Sequence, residues 1–398
     1  MGEAQELPTQ PQVMAAEEAK EAKTPENANA NHQHSTVSQL KRYKWWLQMA
    51  ILTVFVLAGQ SVATLLGRLY FDKGGKGKWI STLVQVAGFP VLLPFLLISP
   101  TKKNHPSETL ITPYIKKQPS LLTLVTIYLL FGVFLGANCM LYTIGLLYLP
   151  VSTYSLICAS QLGFNACFSF FLNAQKFTPL IINSLFLLTI SSTLLVFNND
   201  PSESTTTSKS KYVIGFVCTV GASAVYGLLL SVTQFAFTRI LKTETIRVVF
   251  DMIIYQSVVA TCAILVGLFA SREWKTYRNE MEVFELGKVS YVMTLVWIAI
   301  AWQVFSIGCV GLIFKVSSLF SNVISTLGLP IVPSLAVVFF HDKMDGVKVV
   351  AMLLAIWGFG SYIYQHYLDD LKLKAERKRL GNEESPSEVS LIERGRLV

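Results

Sequence analysis

VSTYSLICASQLG at residues 151–163 returns 165 positions later as VSSLFSNVISTLG at residues 316–328, and each copy lies inside a long apolar stretch. Identities fall at Val151/Val316, Ser152/Ser317, Ser160/Ser325, Leu162/Leu327 and Gly163/Gly328. Thr153/Ser318 is a conservative pair, and Ser169 matches Ser334 further along. At the same offset the apolar run that begins near Tyr212 sits over the one that begins near Lys44. Two apolar helices resemble each other by composition alone; a shared register across several runs is what marks a duplication. A duplicated half with an odd number of membrane crossings inserts its second copy upside down. Inverted repeats of that kind build a binding site near the bilayer midplane, at the repeat interface.

Composition agrees. Soluble domains carry about 25% charged residues, whereas this chain of 398 residues has 15% charged and 52% hydrophobic residues. The charges cluster in two tails and short loops. Between them lie runs of roughly 20 apolar residues, the length that crosses the hydrocarbon of a bilayer. Ten spans are expected, near 45–67, 79–99, 121–145, 150–172, 179–198, 212–237, 248–271, 289–312, 316–340 and 346–367. They predict an all-α polytopic membrane protein with ten transmembrane helices as a 5+5 inverted repeat. The halves would cover 45–198 and 212–367, joined by a polar linker at 199–211. Continuous rather than alternating apolarity excludes a β-barrel. Residues 1–40 read as a disordered cytoplasmic tail without a signal sequence, and 368–398 as a basic, then disordered, C-terminal tail. Four prolines between Pro100 and Pro119 make 100–120 a stiff non-helical connector.

The net charge of +8 would suggest nucleic acid in a soluble chain. Here Lys and Arg flank apolar runs and act as topology signals, so no nucleic-acid partner is expected. Their excess on the side of the termini places both ends in the cytoplasm, although Arg68, Lys73, Lys76 and Lys78 in the first opposite loop work against it. All six cysteines lie in the spans, with no metal or disulfide spacing. Neither a metal nor another cofactor is expected. Enzyme signatures are missing as well: there is no P-loop, G-x-S-x-G, H-E-x-x-H or dinucleotide fingerprint, and no catalytic residue is assigned. Gly132 and Gly136 form a G-x-x-x-G, where helix backbones approach closely. It is the strongest dimer signal in the chain, and a monomer suffices. Pro330 and Pro333 fall in the ninth span, where a broken helix would free backbone groups at mid-membrane; a tolerated kink is the other reading.

The spans do hold neutral amides and aromatic rings. Gln85, Asn138, Tyr142, Gln161, Asn165, Tyr226, Trp302 and Gln303 are the candidates for a substrate site, with Trp79 at the head of the second span. Buried amides are costly unless hydrogen-bonded. They serve either as interhelical glue, worth about 0.6 kcal/mol each, or as ligands to a solute. Gln161 and Asn165, four residues apart, share a helix face. An amide presents a donor beside an acceptor, the complement of an adenine edge, and such a pair discriminates by about 1–3 kcal/mol. Rings that stack on a flat heterocycle add ~1–3 kcal/mol per base. A strongly anionic substrate would call for Arg or Lys in the cavity. Lys315, at the join of the eighth and ninth spans, is the nearest, and snorkelling explains it.

These residues lie in stretches that resemble the plant purine permeases, a branch of the drug/metabolite transporter superfamily. The stretches are Gly77–Pro90 (GKWISTLVQVAGFP), Tyr148–Asn165 (YLPVSTYSLICASQLGFN), Phe170–Pro179 (FFLNAQKFTP) and His341–Lys348 (HDKMDGVK), within a likeness running from about 45 to 368. The resemblance implies a ten-helix, two-repeat fold and proton-coupled uptake of adenine-like compounds including cytokinin bases; relatives are associated with alkaloids and pyridoxine. The plasma membrane is the expected location. Trp79, Gln85, Gln161 and Asn165 stand in the matching motifs. Asp251, one turn into the seventh span, is the candidate for proton coupling; a charge at the membrane edge paired with Arg247 is the other reading.

Overall fold

The computed structural model describes residues 28–94, 120–149, 154, 157–175, 177–197, 209–242, 246–340 and 346–394. They are nearly all helical, with no strand among them. In chain order the helices are α1 (Ala28–Asp72), α2 (Lys78–Val86, continued by a 3-10 turn Phe89–Leu92), α3 (Leu121–Tyr148), α4 (Gln161–Asn173) and α5 (Pro179–Phe197). After them come α6 (Lys209–Phe235, ending in a π-turn Ala236–Leu241), α7 (Ile246–Ala270), α8 (Tyr277–Val283), α9 (Gly287–Lys315), α10 (Ser318–Phe340) and α11 (Gly346–Arg394). By length and composition five of the helical segments can cross a membrane: Tyr43–Asp72, Leu121–Tyr148, Lys209–Leu241, Ile246–Ala270 and Gly287–Lys315. Their outer faces carry exposed Leu121, Leu122, Val266, Phe269 and Val289. Water would not tolerate so much contiguous apolar surface, and hydrocarbon does.

The packing pattern repeats. α1 lies along α9 as α6 lies along α3; α10 packs on α1 as α4 packs on α6; α7 meets α3 as α2 meets α9; α5 pairs with α11. Each of these pairs joins a helix before residue 198 to one from residue 209 onward. Small residues permit the approach. A Cβ on Gly59 of α1 would stand 2.6 Å from the Phe305 nitrogen of α9, and one on Gly308 would stand 2.7 Å from the Val56 nitrogen of α1. The stripe at Gly132 and Gly136 faces Gln256, Val259, Ala260 and Ile264 of α7, so it is used inside the chain.

Segments that follow the first, third and seventh helices come together at one end. The Lys78 ammonium donates to the Tyr148 hydroxyl at 2.7 Å, and the Lys76 amide donates to Glu280 at 3.0 Å. The C-terminal ends of α1, α3 and α7 thus lie at the same end of the bundle.

Several expectations are revised. The second span is not one continuous helix over its described part, because Pro90 lacks a donor and Gly88 is pressed against α9, where a Cβ would lie 2.5 Å from the Ala299 carbonyl. Helix α10 runs through Pro330 and Pro333 without a break, which favours the tolerated kink. The first helix begins at Ala28, inside the 1–40 segment read as disordered, and α11 extends to Arg394 through the 368–398 tail. The C-terminal extension is rich in Glu, Lys and Arg, which prolong an existing helix without a new nucleation cost. The proline-rich connector up to Pro119, most of the linker, residues 150–153 and His341–Asp345 lie outside the described residues.

Candidate functional site

Uncharged polar side chains from both halves converge in the middle of the bundle. The Tyr142 hydroxyl of α3 donates to Gln161 Oε1 of α4 at 3.2 Å. The Tyr142 ring meets Tyr226 of α6 edge-on, with centroids 6.4 Å apart, and Tyr154 at 6.1 Å. The Tyr226 hydroxyl lies 3.5 Å from Cys309 Sγ of α9. From α10, Ser321 Oγ donates to the Cys309 carbonyl at 3.0 Å, and Asn322 Nδ2 donates to the Gln161 carbonyl at 3.1 Å. Ser325 Oγ donates to Gln60 Oε1 of α1 at 2.8 Å. The three tyrosines are only half-buried, although helices enclose them. No formal charge belongs to the group.

Buried acceptors add to this picture. Asn138 Oδ1, Gln303 Oε1 and Asn322 Oδ1 have no hydrogen-bond partner among the described residues. An unmet buried polar atom costs about 1–3 kcal/mol. Water or a solute is the usual remedy.

Asn165 behaves differently from Gln161. It is fully buried; Nδ2 donates to the Ser318 carbonyl at 3.1 Å, and Oδ1 accepts from Ser231 at 2.8 Å and Ser169 at 3.3 Å. Gln234 Oε1 accepts both the Ser318 amide and its hydroxyl at 2.7 Å, capping the start of α10. These groups knit α4, α6 and α10 together. A Cβ on Gly227 would stand 2.7 Å from the Asn165 nitrogen, so the backbones already touch there. The shared helix face brings both amides inward, but Asn165 works as a joint.

Other candidates sit apart from the tyrosine group. The Trp79 ring lies against Gly267 of α7, where a Cβ would come within 1.9 Å of it, and the Trp79 amide donates to Glu273. Gln85 Nε2 donates to Thr143 Oγ1 at 2.9 Å and to the Ser81 carbonyl, tying α2 to α3. Gln303 Nε2 reaches the Val86 carbonyl at 3.4 Å. Trp302 stands edge-on to Phe305 and packs against the main core. Asp251 is half-buried one turn after Arg247, whose positive charge acts on it.

Sequence reasoning gave Ser325, Cys309 and Ser318 no part in a site. Ser325 carried a signal, since Ser160/Ser325 is one of the repeat identities, and Ser318 pairs with Thr153. Cys309 did not, because a cysteine in a span reads as a small hydrophobe.

The family model described as purine nucleobase transmembrane transport matches residues 47–372. Among curated proteins, the chain is 58% identical to Purine permease 21 of Arabidopsis thaliana over 361 residues, covering 91% of each. It is 57% identical to Probable purine permease 10 of the same plant, again over 91% of both chains, and 55% identical to Probable purine permease 8 over 87% of both. A solved crystal structure is similar in fold at a TM-score of 0.52 and 15% identity, over 79% of this chain and 97% of that one.

Proposed function

The chain belongs to the family of purine nucleobase transmembrane transporters, and on that footing we propose that it carries purine bases and N6-substituted adenines such as cytokinins by alternating access. As a member of that family it is a multi-pass integral membrane protein and a transporter, not an enzyme. The observation that carries the finer reading is the uncharged group Tyr142, Gln161, Tyr226 and Cys309, drawn from both halves. A neutral planar solute needs amide donors and acceptors at its edge and rings on its faces. Gln161 and the orphan oxygens of Asn138 and Asn322 supply the first; Tyr142 and Tyr226 supply the second. Trp79 and Gln85 hold α2 against α7 and α3, and Asn165 holds the joint. A nucleotide or nucleotide sugar would require a cation here.

The ten spans form two inverted five-helix halves that rock against each other. Support comes from helix pairs between the halves that map onto one another after a shift of five spans. Both termini face the cytoplasm of a plasma-membrane carrier, with the odd-numbered crossings ending outside. The chain works as a monomer, its small-residue stripe being occupied by α7. Protons drive uptake. Asp251 is the acid within a span, and Arg247 compensates it; loss of gradient dependence in Asp251→Asn would assign coupling there.

Uptake of labelled adenine by proteoliposomes, with and without an imposed pH gradient, tests the proposal. Saturable uptake, blocked by N6-substituted adenines and unaffected by AMP, is expected. Inhibition by AMP with none by adenine would overturn it.

A further inference from the structure

Two acids of the second half close over the start of α2 in the first. The residues between α1 and α2, Lys73–Gly77, turn sharply, with Gly74 at φ 103. The helix that follows begins with amide groups that no intrahelical carbonyl can meet. Glu280 of α8 meets two of the amides at this start: its Oε1 accepts from the Lys76 amide at 3.0 Å and more weakly from Gly77 at 3.5 Å. The same oxygen accepts the Tyr70 hydroxyl of α1. Glu273 Oε2 accepts the Trp79 amide at 2.9 Å. Negative charge at a helix N-terminus is further favoured by the helix dipole. Glu280 is 8% exposed, an unusual depth for a carboxylate.

Every neighbour on Glu280 Oε1 is a donor. A carboxylate suits that setting; a protonated carboxyl brings one more donor and weaker acceptors. The other titratable and charged groups around it are Tyr291 of α9, whose ring lies tilted to that of Tyr70 with centroids 5.9 Å apart, and Glu273, Tyr277 and Lys76, which line an adjoining cleft of about 220 Å³. Lys73 and Lys78 face away, toward Glu285 and Tyr148.

We propose that Glu280, through its contacts with Tyr70 and the Lys76–Gly77 amides, is the gate that joins the two halves at this mouth, and that protonating it lets the mouth open. Each proton bound on this side favours the open form, and closure releases it. A proton can therefore be linked to the transport cycle without an acid at mid-membrane. The inference rests on the alternating-access reading above.

The test needs no substrate, so its outcome is separate from the question of which solute is carried. Spin labels are placed at Asp72→Cys and Glu282→Cys, side chains 58% and 62% exposed. The background is full-length protein in lipid nanodiscs with the exposed Cys167 and Cys262 changed to Ser. As pH falls from about 8 to about 3, a range that brackets the ordinary carboxyl value near 4, the wild-type distance should lengthen. Glu280→Gln should show the long distance at every pH. Tyr70→Phe keeps the ring over Gly75 and removes one donor to the charged form, so the transition midpoint should rise by about one pH unit. A wild-type distance that ignores pH, or a Glu280→Gln transition that matches the wild type, overturns the proposal. If Glu280→Gln does not fold, the Tyr70→Phe midpoint decides: an upward shift supports the gate, and an unchanged or lowered midpoint refutes it.

Discussion

Gln161 and Asn165 are both buried amides on one helix face, yet substituting them should do opposite things. Gln161→Leu keeps the volume and removes the group that accepts from Tyr142. If that amide also pairs with the base, about 1–3 kcal/mol of recognition is lost, or roughly 5- to 150-fold in affinity. The fold should survive, because one half-buried tyrosine hydroxyl can turn to water. Asn165→Ala removes three hydrogen bonds from a buried joint: the Ser318 carbonyl loses the amide that meets it, while the Ser169 and Ser231 hydroxyls keep each other at 3.0 Å. Each lost hydrogen bond costs about 0.5–1.5 kcal/mol, so the loss falls on stability and on the amount of protein in the membrane. Purified variants would be compared by labelled-adenine binding and by thermal unfolding in the same detergent. Gln161→Leu should weaken binding with little change in melting temperature. Asn165→Ala should lower the melting temperature while the folded fraction binds within about threefold of wild type, an affinity change under ~0.7 kcal/mol. The opposite pattern would refute the division between ligand and joint.

Gly59→Leu should abolish membrane expression, because its Cβ alone would stand 2.6 Å from backbone and neither helix can yield; fluorescence of a fused reporter after size-exclusion checks it. Tyr226→Phe should leave adenine affinity within about threefold, and Tyr226→Ala should weaken it roughly tenfold or more through the lost face of the ring. Asp251→Asn should leave the pH profile of uptake unchanged if Arg247 only balances an edge charge, and flatten it if that acid couples transport. Glu285 beside Lys73 holds the ammonium above its ordinary range. Such a contribution is complete below the ordinary lysine value and lost only as pH rises through the raised one, so Lys73→Gln should not alter the pH dependence of melting between about pH 5 and pH 9. The pair is exposed and salt screens it.

The helical, membrane-spanning character was legible because hydrocarbon admits few alternatives. Apolar runs of the right length mark spans whatever their neighbours do, and the 165-residue register paired Ser160 with Ser325 before either had a place in space. What the spacing of Gln161 and Asn165 could not supply was their separate roles. Both point inward, and the difference lies in Ser231 and Ser318, which come from remote parts of the chain. Trp79 and Gln85 look like cavity residues in a motif, while their contacts with Gly267 and Thr143 bind α2 to its neighbours. Glu280 was least legible. An acid in a polar loop reads as solvated, and only the packing of α8 on the Lys76–Gly77 turn buries it.

Counterflow in proteoliposomes containing only this protein tests the carrier most directly. Vesicles loaded with unlabelled adenine and diluted into a trace of labelled adenine should accumulate label transiently above its equilibrium level, and AMP loaded instead should give no overshoot. Label that merely equilibrates at the same rate whatever the vesicles contain would contradict a site exposed to one side at a time between two rocking halves.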